Sequence, residues 1–196
     1  SAIAKGLTKS GMAANNIILT RRKLESITGL TETGFQTSID NANAVQNAEI
    51  ILLTVLPSQL MDLLDDISSS LSENHLLISI VSGVSIAEIQ EKVGKDIPII
   101  RAMPNTAAVL CESMTCLSSL SQFAQKLKTA QTLFEKVGNT LVIDETQMAS
   151  ATALCACGVA FFLRAIRAAS QGGIEIGFHS DEAFTIAAQT ARGAAT

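Results

Sequence analysis

Two short runs constrain this chain more than anything else in it: Ile50-Ile51-Leu52-Leu53-Thr54-Val55 and Leu76-Leu77-Ile78-Ser79-Ile80-Val81. Both are apolar almost throughout and rich in β-branched side chains. A strand with one wet face alternates apolar and polar residues. These runs have no polar face, so both their faces must be covered. Between them, Ser58–Leu71 carries Leu60, Leu63, Leu64 and Ile67 at helical spacing. Strand, amphipathic helix, strand is the repeating unit of a parallel sheet sandwiched by helices. The same pattern predicts strands at Ile17–Thr20, Phe35–Ser38, Ile97–Met103, Met114–Leu117 and Thr140–Ile143. It also predicts a helix over Gln122–Val137, with Phe123, Leu127, Ala130 and Phe134 on one face. The expected fold class is α/β, a doubly wound and mostly parallel sheet.

After Asp144 the character changes. From Glu145 to Ser170 no strand is predicted, and the composition turns to Ala, Cys, Met and Phe. The sequence thus divides into residues 1–144, an α/β domain, and 145–196, the start of a helical one. Gln171-Gly172-Gly173 is expected to break the long helix, and Ser180 to cap the next. Met148–Leu163 carries no charge but is shorter than the roughly 20 residues a bilayer needs, and Arg164 and Arg167 follow it. A helix buried between the sheet and a second copy of the chain is the expectation, not a membrane partner, with much of it exposed when one chain is viewed alone. The opening residues lack the basic and apolar regions of a secretory signal.

A charged fraction of 16%, against a usual figure of about 25%, implies surface buried against a partner. The net charge of −4 argues against nucleic acid, which would require a basic stripe. Four cysteines, Cys111, Cys116, Cys155 and Cys157, read as free thiols in a reducing compartment. The two histidines, His75 and His179, lie far apart in sequence, and no metal site is expected.

The phosphate-binding pattern G-x-G-x-x-G is absent. Ser1–Lys9 reads as a helix closed by Gly11, without the strand and glycine turn that normally lead into the first helix of a doubly wound domain. After the Ile17–Thr20 run come Arg21, Arg22 and Lys23, with no carboxylate until Glu25. At that point of a dinucleotide fold an acid holds the ribose of NAD, and a basic group takes the 2′-phosphate of NADP. A solvated basic turn is the plainer reading of the same residues. The turns Thr54-Val55-Leu56-Pro57 and Ile80-Val81-Ser82-Gly83 leave the two buried runs at their carboxyl ends, where ligands bind in open α/β sheets.

The segment Ile99-Ile100-Arg101-Ala102-Met103-Pro104-Asn105-Thr106 resembles, nearly letter for letter, a stretch of the pyrroline-5-carboxylate reductases, the enzymes that make proline. AIAKGL resembles that family's first helix, directly after its GxGNM turn. LLISIVSGVSI resembles its VVSxAAGV strand and turn. LFEKVGNTLVIDE, GIEIGF and AAQTARGAA resemble its last strand and first C-terminal helices. The resemblance implies a Rossmann-like sheet followed by an all-helical C-terminal domain of the 6-phosphogluconate dehydrogenase kind. It also implies a chain lacking the N-terminal glycine-rich turn and the later part of the helical domain. The implied activity is NADPH-dependent reduction of 1-pyrroline-5-carboxylate to L-proline in the cytoplasm. The implied assembly is a homodimer or larger homo-oligomer through the 145–170 helix.

By position, the resemblance assigns Asn41, Thr54, Val55, Leu56, Pro57, Ile80, Val81, Ser82 and Asn105 to the NADP site, with Arg21 and Arg22 on the 2′-phosphate. Asn41 also reads as a helix N-cap. The family's SGSGPAY is here Cys155-Ala156-Cys157-Gly158-Val159-Ala160-Phe161. That leaves Cys155, Cys157 and Gly158 as substrate-pocket candidates and no assigned catalytic side chain. Two other readings stand beside this one. A dehydrogenase of the 6-phosphogluconate or hydroxyisobutyrate type would carry a catalytic Lys on the helical side, where none follows Lys136. A non-catalytic nucleotide-binding or oligomerising relic would fit the altered segment and the missing glycine turn.

Overall fold

The computed structural model describes residues 2–22, 28–31 and 33–196. Ser1, Lys23 and Glu25 lie outside the described residues. Seven strands are described: β1 (Ile18–Thr20), β2 (Gln36–Ser38), β3 (Ile50–Leu53), β4 (Leu76–Ser79), β5 (Ile99–Met103), β6 (Ser113–Ser119) and β7 (Gly138–Val142). The helices of the sheet region are α1 (Ala2–Lys9), α2 (Thr28–Thr31), α3 (Asn41–Gln46), α4 (Pro57–Ile67), α5 (Ile86–Val93) and α6 (Ala124–Glu135). Beyond it come α7 (Met148–Ala151), α8 (Gly158–Glu175) and α9 (Ser180–Ala194).

β3, β4, β5, β6 and β7 form one sheet in that order, parallel except where β6 runs against β5, and β1 pairs with β2 in a separate parallel ladder. The register sets Ile50 beside Leu76, and Leu77 beside Ile99. Period-two alternation then sorts the side chains. Leu77 and Ile99 join Leu60, Leu64, Ile67, Ile86 and Ile89 in a core beneath α4 and α5. Leu76, Ile78 and Ile100 join Leu7, Ala130 and Phe134 beneath α1 and α6 on the other face. Both faces are therefore covered, as the two apolar runs require.

α5 is not among the elements expected from the sequence. It is set by Ser85, whose Oγ accepts the Glu88 N–H at 3.2 Å while Glu88 bonds back to the Ser85 N–H at 2.8 Å. Gly94 closes it with φ of 64°.

Between β1 and β3 lies a cavity of about 640 Å³, with Ile18 and Thr20 on one rim and Ile50 and Leu52 on the other. Leu7 and Leu133 close one face, and Val45 and Ile67 the other. A strand residue occupies roughly 3.3 Å of rise, 4.8 Å of strand spacing and 10 Å of layer thickness, or about 160 Å³. The cavity has room for about four such residues, comparable to β1 and β3 themselves.

Contacts divide the chain into two units, 1–155 and 156–196. Residues 145–155 stay with the sheet because Met148 and Ala151 are buried and the Cys155 thiol bonds to Met103 and Met114 carbonyls of β5 and β6. In the second unit, α8 runs straight through Gln171-Gly172-Gly173, which the sequence reading took as a break. Gly173 serves close approach instead: a Cβ there would sit 3.0 Å from the Ala183 Cβ of α9. The cap of α9 is His179, not Ser180, and its N–H donates to Glu182 Oε2 at 2.9 Å.

Within one chain much of the Met148–Leu163 helix is exposed, as expected of a helix whose remaining faces need a partner. Leu154, Phe161, Phe162 and Leu163 are exposed, Phe162 by 70%. The helix containing this stretch runs from Glu145 to Glu175, 31 residues, long and apolar enough by length and composition to cross a membrane. The uncharged stretch alone is too short for a span, but the helix that contains it is not.

Candidate cofactor site

Parallel strands bring their carboxyl ends to one edge, and β3, β4 and β5 do so side by side. Beyond β3, Thr54 is exposed, Val55 half-buried and Leu56 exposed. Pro57 opens α4 at its first position, where a missing N–H costs nothing. The Leu56 N–H finds Gln59 Oε1 at 3.4 Å, and the start of the helix faces solvent. Beyond β4, Ile80 is half-buried, Val81 buried and Ser82 exposed, and Gly83 turns the chain at φ of 75°. Ser79 Oγ accepts the Val81 N–H at 3.3 Å and braces that turn.

At the end of β1, Arg21 and Arg22 are both exposed, and the Arg21 N–H continues the ladder to Ser38 O at 3.2 Å. Neither guanidinium has an ion-pair partner among the described residues. Asn41 does not cap α3. Asp40 does, with Oδ1 accepting the Asn43 N–H at 2.9 Å, because the shorter reach to the N3 amide belongs to the residue before the first turn. Asn41 instead donates to Asp66 Oδ2 at 2.9 Å. It lines the cavity between β1 and β3 together with Thr20 and Leu53.

Asn105, beyond β5, is half-buried and fully engaged. Its Oδ1 accepts the Ala107 N–H at 3.0 Å, its Nδ2 donates to the Cys155 carbonyl at 3.2 Å, and its N–H donates to Ser113 Oγ at 3.1 Å. That Cys155 carbonyl belongs to a wide helical turn over Thr152–Ala156, in which the usual i−4 pairing is lost. The Cys155 S–H is shared between the Met114 carbonyl at 2.8 Å and the Met103 carbonyl at 3.2 Å. Burial, reinforced by neighbouring Cys116, pushes this thiol up to about 11. It is an inert wall group at neutral pH. Cys155 closes the first unit, while exposed Cys157 and buried Gly158 belong to the second, so no one unit holds all three pocket candidates.

The sequence reading assigned nothing to Arg101 or Glu145. Arg101 lies in mid-strand, 8% exposed, with Nη1 3.2 Å from Glu145 Oε1. An arginine inside a continuous apolar run was the available signal, since such a group is buried only when paired. Among the described residues no three His, Cys, Asp or Glu side chains cluster as a metal site would require.

Comparison with known proteins agrees with this architecture. A family model described as NADP oxidoreductase coenzyme F420-dependent matches residues 1–83, and one described as pyrroline-5-carboxylate reductase dimerisation matches residues 145–196. Pyrroline-5-carboxylate reductase 1 of Dictyostelium discoideum is 49% identical over 209 residues, which take in all of this chain but only 38% of that protein. Pyrroline-5-carboxylate reductase 2 of the same organism is 44% identical, over 98% of this chain and 70% of the relative. A solved Plasmodium falciparum pyrroline carboxylate reductase with NADP bound superposes with a TM-score of 0.88 at 25% identity, over 98% of this chain and 71% of that one.

Proposed function

The chain belongs to the pyrroline-5-carboxylate reductase family, and from that membership we propose that the protein reduces 1-pyrroline-5-carboxylate to L-proline with NADPH. The observation that carries the cofactor part is the exposed Arg21–Arg22 step directly after β1, which has no ion-pair partner among the described residues. Two adjacent exposed guanidiniums suit a phosphate monoester, which accepts paired, charge-assisted hydrogen bonds. The solvent-facing turn Thr54–Pro57 and the start of α4 suit the phosphates and adjoining ribose. Ile80, Val81 and Ser82 offer backbone groups toward the nicotinamide end. Asn41 borders the same region, and Asn105 contributes as a braced wall, its amide being already committed.

NADPH supplies the hydride that the imine carbon accepts, while the imine nitrogen takes a proton. A cyclic imine protonates readily in water, so the protein's share of the work is orientation and exclusion of water. In this reading residues 1–144 form the cofactor domain, and the cavity between β1 and β3 takes one further parallel strand, at the position the doubly wound order gives its first strand. Residues 145–196 begin the substrate and dimerisation domain, with Cys157 and Gly158 of the second unit as its substrate-pocket candidates.

The exposed apolar faces of the 145–170 helix and of α8 would then be covered by a second copy of the chain rather than by a bilayer. No nucleic acid or metal enters the scheme, and the compartment is the cytoplasm. The test is titration of NADPH and NADH into the full-length protein and its Arg21→Ala, Arg22→Ala double variant. Loss of two charge-assisted contacts, each about 1.5–3 kcal/mol before solvent screening, is expected to weaken NADPH by roughly 10- to 100-fold and leave NADH unchanged. Equal NADPH affinity in both proteins would refute the assignment.

A further inference from the structure

We propose that Glu145 is a positioning residue, whose carboxylate holds the turn after β4 in the conformation that receives the nicotinamide end of the cofactor; this rests on the cofactor reading above. Arg101 sits in the middle of β5 with Ser79 of β4 and Ser118 of β6 as its strand neighbours. A guanidinium with only 9% of its side chain exposed needs a counter-charge. It has Glu145, 44 residues away in sequence, with Nη1 3.2 Å from Oε1.

That same oxygen has a second duty. It accepts the Ile86 N–H at 2.7 Å, 59 residues away in sequence. Ile86 is the first residue of α5, and its amide is one of the donors that no helix can satisfy internally. The local cap satisfies the other end of the problem: Ser85 Oγ takes the Glu88 N–H, and Glu88 takes the Ser85 N–H and hydroxyl. The Ile86 donor is left over, and a residue at the foot of the helical segment claims it. The positive end of α5 further favours a carboxylate there.

One carboxylate oxygen therefore ties three elements together: β5 through Arg101, α5 through Ile86, and the turn Glu145–Gln147 that leads into α7. α5 begins only four residues after Ser82, so fixing the Ile86 amide fixes the frame of the Ile80–Ser85 segment. Ser82 and Gly83 are exposed. Arg101 in turn orients the carboxylate, which explains a buried arginine in a strand otherwise made of Ile, Ala and Met.

Three substitutions in the full-length protein separate reach from charge. Glu145→Gln keeps an oxygen at the right distance for Ile86, Glu145→Asp keeps the charge but withdraws it by one methylene, and Glu145→Ala removes both. NADPH dissociation constants are measured below the melting point of each variant, alongside hydrogen exchange of the Ile86 amide and KM for the imine. The expected result is a rise of about tenfold in the NADPH constant for Asp and Ala, faster Ile86 exchange in both, a smaller rise for Gln, which keeps the Ile86 acceptor but leaves Arg101 without its counter-charge, and an unchanged imine KM. Wild-type NADPH affinity in Asp and Ala, or equal damage from Gln and Ala, would overturn the proposal. A wild-type protein that fails to bind NADPH at all would instead refute the cofactor reading on which it rests.

Discussion

Phe162 gives the sharpest handle on assembly. It stands on α8 with 70% of its surface exposed, flanked by Phe161 and Leu163, and it lines an apolar cavity of about 810 Å³ between α8 and α9 with Ile166, Ile176 and Ile186. A phenylalanine presents about 200 Å². Covering the exposed 70% hides about 140 Å², worth about 3.5 kcal/mol at 25 cal/mol/Å². A two-fold interface uses the residue twice, and relaxation around the truncated site recovers about half of the sum. Phe162→Ala is thus expected to cost the dimer about 3–4 kcal/mol, which raises its dissociation constant by several hundredfold. Sedimentation equilibrium over a dilution series measures this directly, with far-ultraviolet circular dichroism checking that the helices persist. A dissociation constant within threefold of the parent, with the fold intact, would refute the claim that this face is the interface.

Other outcomes follow from single sites. Cys155 holds its proton up to about 11 in the folded protein and to about 8.5 in an unfolded chain. Above pH 8.5 the unfolded state sheds the proton first, so stability is fully present below that pH and falls as pH rises toward 11. Urea melts should show a steeper alkaline loss for the parent than for Cys155→Ala; parallel pH dependence would contradict it. At neutral pH, iodoacetamide should label exposed Cys157 well before buried Cys155, as peptide mass mapping would show. Reversed labelling would contradict the burial of Cys155. Gly6→Ala would bring a Cβ to 2.0 Å from the Ala108 carbonyl oxygen, forcing α1 off the Thr106–Leu110 turn. The expected cost is about 2–3 kcal/mol in chemical denaturation, and an unchanged midpoint would show that α1 does not pack there.

Much of the sheet was legible because its strands announce themselves. The runs at Ile50 and Leu76 had to be doubly covered strands, and they are β3 and β4. Their ends were less legible: Val55 and Val81 continue the apolar pattern but lie beyond the ladder, since hydrophobicity marks burial and not pairing. α5 was missed although Ser85, Glu88 and Gly94 spell out both its caps. The helix through Gly172-Gly173 was misread for a different reason. Glycine in a helix costs about 1 kcal/mol locally, yet the approach of Ala183 rewards it, and that contact is invisible along the chain.

The candidate site divides in the same way. The positions of the strand-end turns and of Arg21 and Arg22 followed from fold class. The Arg101–Glu145–Ile86 tie and the commitment of Asn105 to Cys155 did not, because each joins residues 44 to 59 apart that only tertiary packing brings together.

The central claim is chemical, and one assay reaches it. The full-length protein, supplied with 1-pyrroline-5-carboxylate, should oxidise NADPH with loss of absorbance at the nicotinamide band and equimolar formation of proline, and NADH should serve less well. Saturable NADPH binding with no turnover of the imine, or turnover of a 2-hydroxy acid in its place, would contradict the account.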